Sequence, residues 1–337
     1  MERRIALAAM LSLAVGFSNS RAKAENADSP PLPVLLHWGR YEVQLGRLRL
    51  ASTRFNQTKV LSVVSEDRSR RETYSVNVNH ARMSSHYESQ TPQRLLKVAF
   101  EANGTVSILV EPSGVEQPGF TTAVAMEFTQ QPSGAIEMHV GEGADRRSYQ
   151  APCFWRMMLA EPTVCRQHLT PVLEGMRPDW GLNETASGIE AELIRVAPNP
   201  SGINRERVRQ LVGRLSHESF GLRQEAQNEL VGYGQGVLPW LDEINPDLLD
   251  REQLHRVASI RKAFACSIGD SPARAVALLE NDKQTWIVLL SHDDLDCRRL
   301  AAGRLSRMWG RPFTFDPTAS PDERIAQIET ISRTMLR

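Results

Sequence analysis

The chain has 337 residues, a length suited to about two domains, and carries 40 Lys+Arg against 40 Asp+Glu. Its 41% hydrophobic, 24% charged and 6% aromatic content excludes a disordered, collagenous or disulfide-dense chain. The balanced charge argues against a dedicated nucleic-acid binder.

Residues 1–24 read as a secretory signal peptide. Arg3 and Arg4 form a positive start, Ile5 to Phe17 is an apolar run too short to span a bilayer, and Ala22-Lys23-Ala24 is a small-x-small cleavage site. Cleavage after Ala24 removes four basic residues and one acidic residue, which leaves a net charge of −3. No later stretch has the length and apolarity of a membrane helix, so no stable membrane insertion is expected after cleavage. The expected location is exported, either periplasmic or extracellular.

Residues 25–57 read as a leader and linker, polar and Pro-rich at Ser29-Pro30-Pro31-Leu32-Pro33. Residues 58–199 read as a β-rich domain closed by a helical hairpin. Val60 to Val64 and Tyr74, Val76 and Val78 suggest strands. Leu96, Val98 and Phe100 alternate with polar residues, as do Val106, Ile108 and Val110, and Asn103-Gly104 lies between the two runs. That arrangement predicts a tight hairpin with positive φ at both turn residues. A second hairpin should pair Val124, Met126 and Phe128 with Ile136, Met138 and Val140. One apolar face per strand implies an antiparallel meander of about six to eight strands; barrel closure is left open. From Ala151 the period changes. Phe154, Met157, Met158 and Leu159 suggest one helix, Val164, His168, Val172 and Leu173 a second, and Ile189 to Val196 a short third.

Ala197-Pro198-Asn199-Pro200-Ser201-Gly202 reads as a linker, and residues 200–337 as an all-helical domain. Val208, Leu211, Val212 and Leu215 follow helical spacing, then Leu222, Ala226 and Leu230, then Val237, Leu238, Leu241 and Ile244. Asp250 with Gln253 predicts a capping box ahead of Val257, Ile260, Phe264 and Ile268. Ser271-Pro272 predicts an N-cap with Pro at the first helical position. Ser320-Pro321-Asp322-Glu323 repeats that grammar before a last helix with a stripe at Ile325, Ile328 and Met335.

Within this half, Leu215 to Leu230 aligns without gaps on Leu290 to Leu305, an offset of 75 residues, with six of sixteen positions identical. Half that offset is the size of an α-helical repeat. The run Ser219-Phe220-Gly221-Leu222-Arg223, followed by Ala226, Leu230, Gly234 and Pro239-Trp240-Leu241, resembles a HEAT (armadillo-type) repeat, most closely those of exported bacterial proteins. Trp309-Gly310-Arg311-Pro312-Phe313 with Phe315-Asp316-Pro317 is similar to a closing segment in such proteins. The resemblance covers residues 200–337 and implies a fold and a binding or scaffolding role. It brings no catalytic residues, and the β-rich half is assigned to no family.

No residue is assigned as catalytic, cofactor-binding or metal-ligating, and no cofactor is expected. His217 and His292 recur at equivalent positions and read as turn residues carried by duplication. His80 and His86 lack partners at metal-ligand spacing. Gly141-x-Gly143 lacks a third glycine, and Arg68 to Arg71 and Arg146-Arg147 read as solvated edges. Asn56, Asn103 and Asn183 stand in N-x-Thr sequons, with Asn103 better explained by its turn. Cys153, Cys165, Cys266 and Cys297 sit in apolar contexts; if any pair oxidises, Cys153 with Cys165 is favoured. The function expected is an exported, non-enzymatic interaction or scaffold protein with a protein partner. The alternatives are a periplasmic carrier of a lipid or sugar in a curved-sheet pocket, and an enzyme without a recognisable motif.

Overall fold

The computed structural model describes residues 22–24, 30–79, 82–113, 124–198, 203, 205–242, 244–264 and 269–335. Its class is α+β: an antiparallel sheet region followed by a helical region. Strands β4 (Lys59–Ser65), β5 (Arg71–Asn79), β6 (Arg82–Gln90), β7 (Arg94–Phe100), β8 (Val106–Pro112), β9 (Met126–Gln130), β10 (Ile136–Val140) and β11 (Arg147–Ala151) form a meander in which each pairs with the next. The short β1 (Ala22–Ala24) adds in parallel to the β4 edge, with Ala22 opposite Val63. The sheet is open, with β1 and β11 at its two ends, so it is not a closed barrel. The rest of the predicted signal segment, residues 1–21, and residues 25–29 lie outside the described residues.

Both predicted hairpins form, the first in the expected register and the second shifted by two residues, with Gln130 opposite Ile136. Leu96 faces Val110, Val98 faces Ile108 and Phe100 faces Val106; Met126 faces Val140 and Phe128 faces Met138. All of these except Val140 are buried, while Val124 precedes its strand and is exposed. The Asn103-Gly104 turn differs from the two-residue form. Only Gly104 has positive φ (92°), Gly104 N donates to Glu101 O, and Glu101 N donates to Thr105 O. The loop is therefore three residues long with a glycine bulge, and Asn103 Oδ1 accepts from Thr105 N at 2.9 Å.

The expected leader is partly structure. Residues 32–53 form helix α1 (Leu32–Leu36) and a hairpin of β2 (Gly39–Gln44) and β3 (Arg47–Thr53). Three consecutive residues of β2, Tyr41, Glu42 and Val43, are buried. A strand covered on both faces loses the alternation by which strands are recognised. The turn Leu45-Gly46 has φ of 52° and 69°, and an Ala at Gly46 would bring its Cβ to 2.8 Å from Cys153 Cβ. Part of β3's backbone is satisfied by a side chain: the buried Gln130 amide accepts from Leu48 N and donates to Leu48 O, both at 2.9 Å.

The inner sheet face is filled. Phe100, Ile108, Phe128 and Met138 join one buried cluster with residues of α2 (Phe154–Ala160), α4 (Thr170–Met176) and α5 (Leu182–Val196). The short α3 (Pro162–Val164) and a π-helical segment (Cys165–Leu169) run into α4. Helix α5 begins seven residues before the predicted stretch, burying Leu182 as well as Ile189 and Leu193.

The remaining helices are α6 (Arg205–Arg214), α7 (Phe220–Gly232), α8 (Leu238–Asp242), α9 (Arg251–Phe264), α10 (Pro272–Leu279), α11 (Lys283–Leu289), α12 (Leu295–Trp309) and α13 (Pro321–Met335). They divide between two cores. Val208, Leu211, Leu215, Ala226, Leu230, Val257 and Ile260 form a second cluster, joined by Leu278 of α10. Val276, Trp286, Leu290, Ala301, Leu305 and Ile331 belong instead to the cluster that contains the sheet. The caps are as predicted: Asp250 and Gln253 exchange backbone-to-side-chain bonds at 2.8 and 2.9 Å, Ser271 Oγ accepts from Arg274 N, and Ser320 and Glu323 form a reciprocal box. On α13 the register differs. Ile325 is exposed and Ile331 is buried, because the helix meets its neighbours through its later turns. Cys153, Cys165 and Cys297 are free thiols; Cys165 Sγ donates to Met157 O at 3.7 Å, so the favoured Cys153–Cys165 pair is not formed. Cys266 lies outside the described residues.

Candidate functional site

The duplicated segment repeats its histidine and arginine bonds, while only the second copy adds a side-chain N-cap, Asp294 Oδ1 accepting from Cys297 N at 2.8 Å. Leu215 and Leu290 are fully buried and anchor a turn that leads into α7 or α12. Within each turn a histidine folds back on the backbone: His217 Nδ1 accepts from Ser219 N at 3.0 Å, and His292 Nδ1 from Asp294 N at 2.9 Å. An arginine one turn into the helix reaches back to the same two carbonyls. Arg223 Nη1 donates to His217 O (2.7 Å) and Glu218 O (2.9 Å); Arg298 Nη1 donates to His292 O (2.6 Å) and Asp293 O (2.7 Å). These carbonyls precede the helix and lie outside its ladder, and a guanidinium can hold both at once. Ala226 and Ala301, then Leu230 and Leu305, fill equivalent core positions. The arginine device recurs at α13, where Arg324 Nη1 donates to Ala319 O at 2.7 Å.

The two copies differ in their surroundings. Because His292 Nδ1 accepts, its proton sits on Nε2, which donates to Glu190 Oε1 of α5 at 2.8 Å. Cys297 of the same turn also faces this region. Burial, the Asp294 carboxylate and, less strongly, Glu190 push its thiol up to about 11. Arg298 Nε donates further to Pro317 O at 2.7 Å. In the first copy His217 and Phe220 are exposed, Phe220 by 63%, and Leu222 is half-buried where the second copy has Cys297. The Phe220 ring lies 5.6 Å from Arg223 and 5.8 Å from the Arg256 guanidinium. Among the described residues nothing polar reaches His217 Nε2.

The other residues singled out in the sequence are scattered. His86 Nε2 bonds Glu101 Oε1 at 2.8 Å on the outer sheet face, and His80 lies outside the described residues. Arg146 pairs with Glu127 at 2.9 Å and Arg70 with the buried Glu72 at 2.7 Å, while Arg71 is exposed. Gly141 has φ of 88° in the loop after β10. Among the described residues no three His, Cys, Asp or Glu side chains are grouped to hold a metal ion, and no helix is long and apolar enough to cross a membrane. An open groove of about 530 Å³, lined by Phe55, Asn56, Val78 and Met83 among others, lies beside the end of β3.

Two polar groupings had not been picked out. Tyr41 Oη bonds Tyr74 Oη at 2.8 Å and Ser85 Oγ at 2.7 Å, and Tyr87 donates to Glu72, all on the inner sheet face. Burial raises the Tyr41, Tyr74 and Tyr87 hydroxyls above their ordinary range. The alternation of Glu72, Tyr74 and Val76 does place these groups on the core face; nothing in the sequence pairs them. The second is Asp270, whose carboxylate accepts from Leu45 N (2.8 Å), Gly46 N (2.7 Å) and Trp155 Nε1 (2.8 Å). Burial raises its pKa against the lowering effect of these three bonds. It ties the β2–β3 turn and α2 to the lead-in of α10, a spacing of 225 residues that no local signal reveals. No family model, curated protein or solved structure matches this chain.

Proposed function

We propose that the chain is an exported interaction protein that binds a protein partner through the surface of its HEAT-like helical half. The observation that carries this reading is the turn built twice from the same histidine and arginine bonds. Stacked helical units of this kind expose successive turns and helix faces along one side, a form suited to holding another chain. The large apolar side chains left exposed on this stretch, Phe220, Leu248 and Leu254, add contact area there. Export rests on the basic, apolar and small-x-small pattern of residues 1–24.

The test has two parts. Mass measurement of the protein recovered from the exported fraction should show a chain that starts at Glu25; an intact residue 1 start there would remove the cleavage claim. Cross-linking of the full mature chain in that fraction should join one stoichiometric partner to residues 205–264. Failure to recover a stable partner, or cross-links confined to the sheet, would overturn the interaction reading. The carrier reading has one observation in its favour, the open groove beside β3. Native mass spectrometry that shows a retained lipid or sugar would favour it.

A further inference from the structure

The two copies of the turn share the histidine and arginine bonds but differ in coverage, and the covered one shows what the other is suited to hold. At His292 the imidazole uses Nδ1 to hold its own turn and so presents Nε2–H outward, where Glu190 of α5 accepts it. At His217 the same internal bond fixes the same tautomer, so an N–H donor is again presented outward. Here the residue is exposed, and Leu222, the counterpart of Cys297 at the start of the same helix, is half-buried without joining the adjacent core. A fixed donor next to an apolar side chain matches a helix that offers a carboxylate from an otherwise apolar stripe. Helix α5 is such a helix: Glu190 lies between the buried Ile189 and Leu193.

We propose that the His217–Leu222 face docks an acidic amphipathic helix of a partner protein, with one carboxylate on His217 Nε2, as α5 docks on the His292 turn. This inference rests on the interaction reading above and names the surface and the partner's chemistry. A hydrogen bond between this N–H and a charged acceptor changes affinity by about tenfold or more when removed. The probe is a labelled, helix-stapled peptide of the sequence of residues 182–197, titrated against the full mature chain by fluorescence anisotropy. Saturable binding is expected, weakened about tenfold by His217→Ala in the protein and by Ala in place of Glu190 in the peptide. Leu222→Glu, which adds a like charge at the face without removing core packing, should weaken it further. Retained folding of each variant is checked by circular dichroism. Absence of saturable binding overturns the proposal. So does equal binding to the His217→Ala chain, which would mean that the peptide displaces α5 from His292. A cross-linked partner that the His217→Ala chain still retains would leave the interaction reading standing and remove this face from it.

Discussion

Replacing Arg298 by Met keeps the aliphatic stem and deletes the guanidinium. Three carbonyl oxygens, those of His292, Asp293 and Pro317, then lose donors at 2.6 to 2.7 Å. Each hydrogen bond to a charged group contributes about 1.5–3 kcal/mol net. The sum is an upper bound, because Asp293 is exposed and water can reach its carbonyl, while the desolvated guanidinium carries its own cost. A destabilisation of about 2–4 kcal/mol is expected, felt first in the α11–α12 turn. Arg223→Met removes two carbonyl bonds at 2.7 and 2.9 Å and a looser Glu252 contact at 3.4 Å from a more exposed side chain. Its cost should be smaller, about 1–2 kcal/mol. Two separate cores make a single global unfolding curve a poor readout, so native-state amide exchange is the assay. Exchange at the start of α12 should accelerate about 30- to 700-fold in Arg298→Met, and at the start of α7 about 5- to 30-fold in Arg223→Met. Equal effects, or an Arg298→Met effect below about 0.5 kcal/mol, would refute the argument that the arginine holds the turn.

Leu230→Ala and Leu305→Ala remove fully buried side chains at equivalent positions and should each cost about 2–5 kcal/mol, read by native-state amide exchange in α7 and α12 respectively; a change in either within about 0.5 kcal/mol would contradict its core placement. Asp67 is held down to about 2 by bonds from the Ser65 hydroxyl and the Ser69 amide and hydroxyl. A folded value below the unfolded one means that its contribution is present above about pH 4 and is lost as the pH falls toward 2. Its NMR titration midpoint should lie near 2, and a midpoint at the ordinary 3.8 would show that the loop does not hold it. Burial pushes the Cys153 and Cys165 thiols up to about 11 and about 12. Iodoacetamide at pH 8 should therefore leave both unmodified until the chain unfolds. A Cys153–Cys165 cross-linked peptide in a non-reducing digest would overturn the free-thiol assignment.

Local signals carried most of the element assignment. Alternation at Leu96 to Val110 fixed a register because a slip by one residue would turn every apolar side chain to solvent. The caps at Asp250, Ser271 and Ser320 were readable because they are contacts between residues three apart. The β2–β3 hairpin was not readable: β2 is buried on both faces at Tyr41 to Val43, and the chain turns at Leu45-Gly46, without a polar turn pair. The division of the late helices between two cores was equally hidden. Val276 and Val257 look alike in sequence, and only the position of α5 and the sheet decides which cluster each enters. For the candidate site, the alignment of His217 with His292 was visible as identity. Which copy is covered depends on Glu190, 102 residues from His292.

The core that begins at Leu32 closes with Ile331, while the buried residues of the smaller core all fall between Val208 and Leu278. A chain made from its N-terminus therefore cannot finish what it starts first. At about 5–20 residues per second, some 7 to 27 s of translation separate Ala197 from Ile331. Through that interval the cluster that contains the sheet lacks Trp286, Leu290 and Leu305, and the second-made core is the first that can be completed. A chain truncated just after Leu278 and released should protect α6 and α7 from protease, while α2, which lacks its Trp286 neighbour, is still cut.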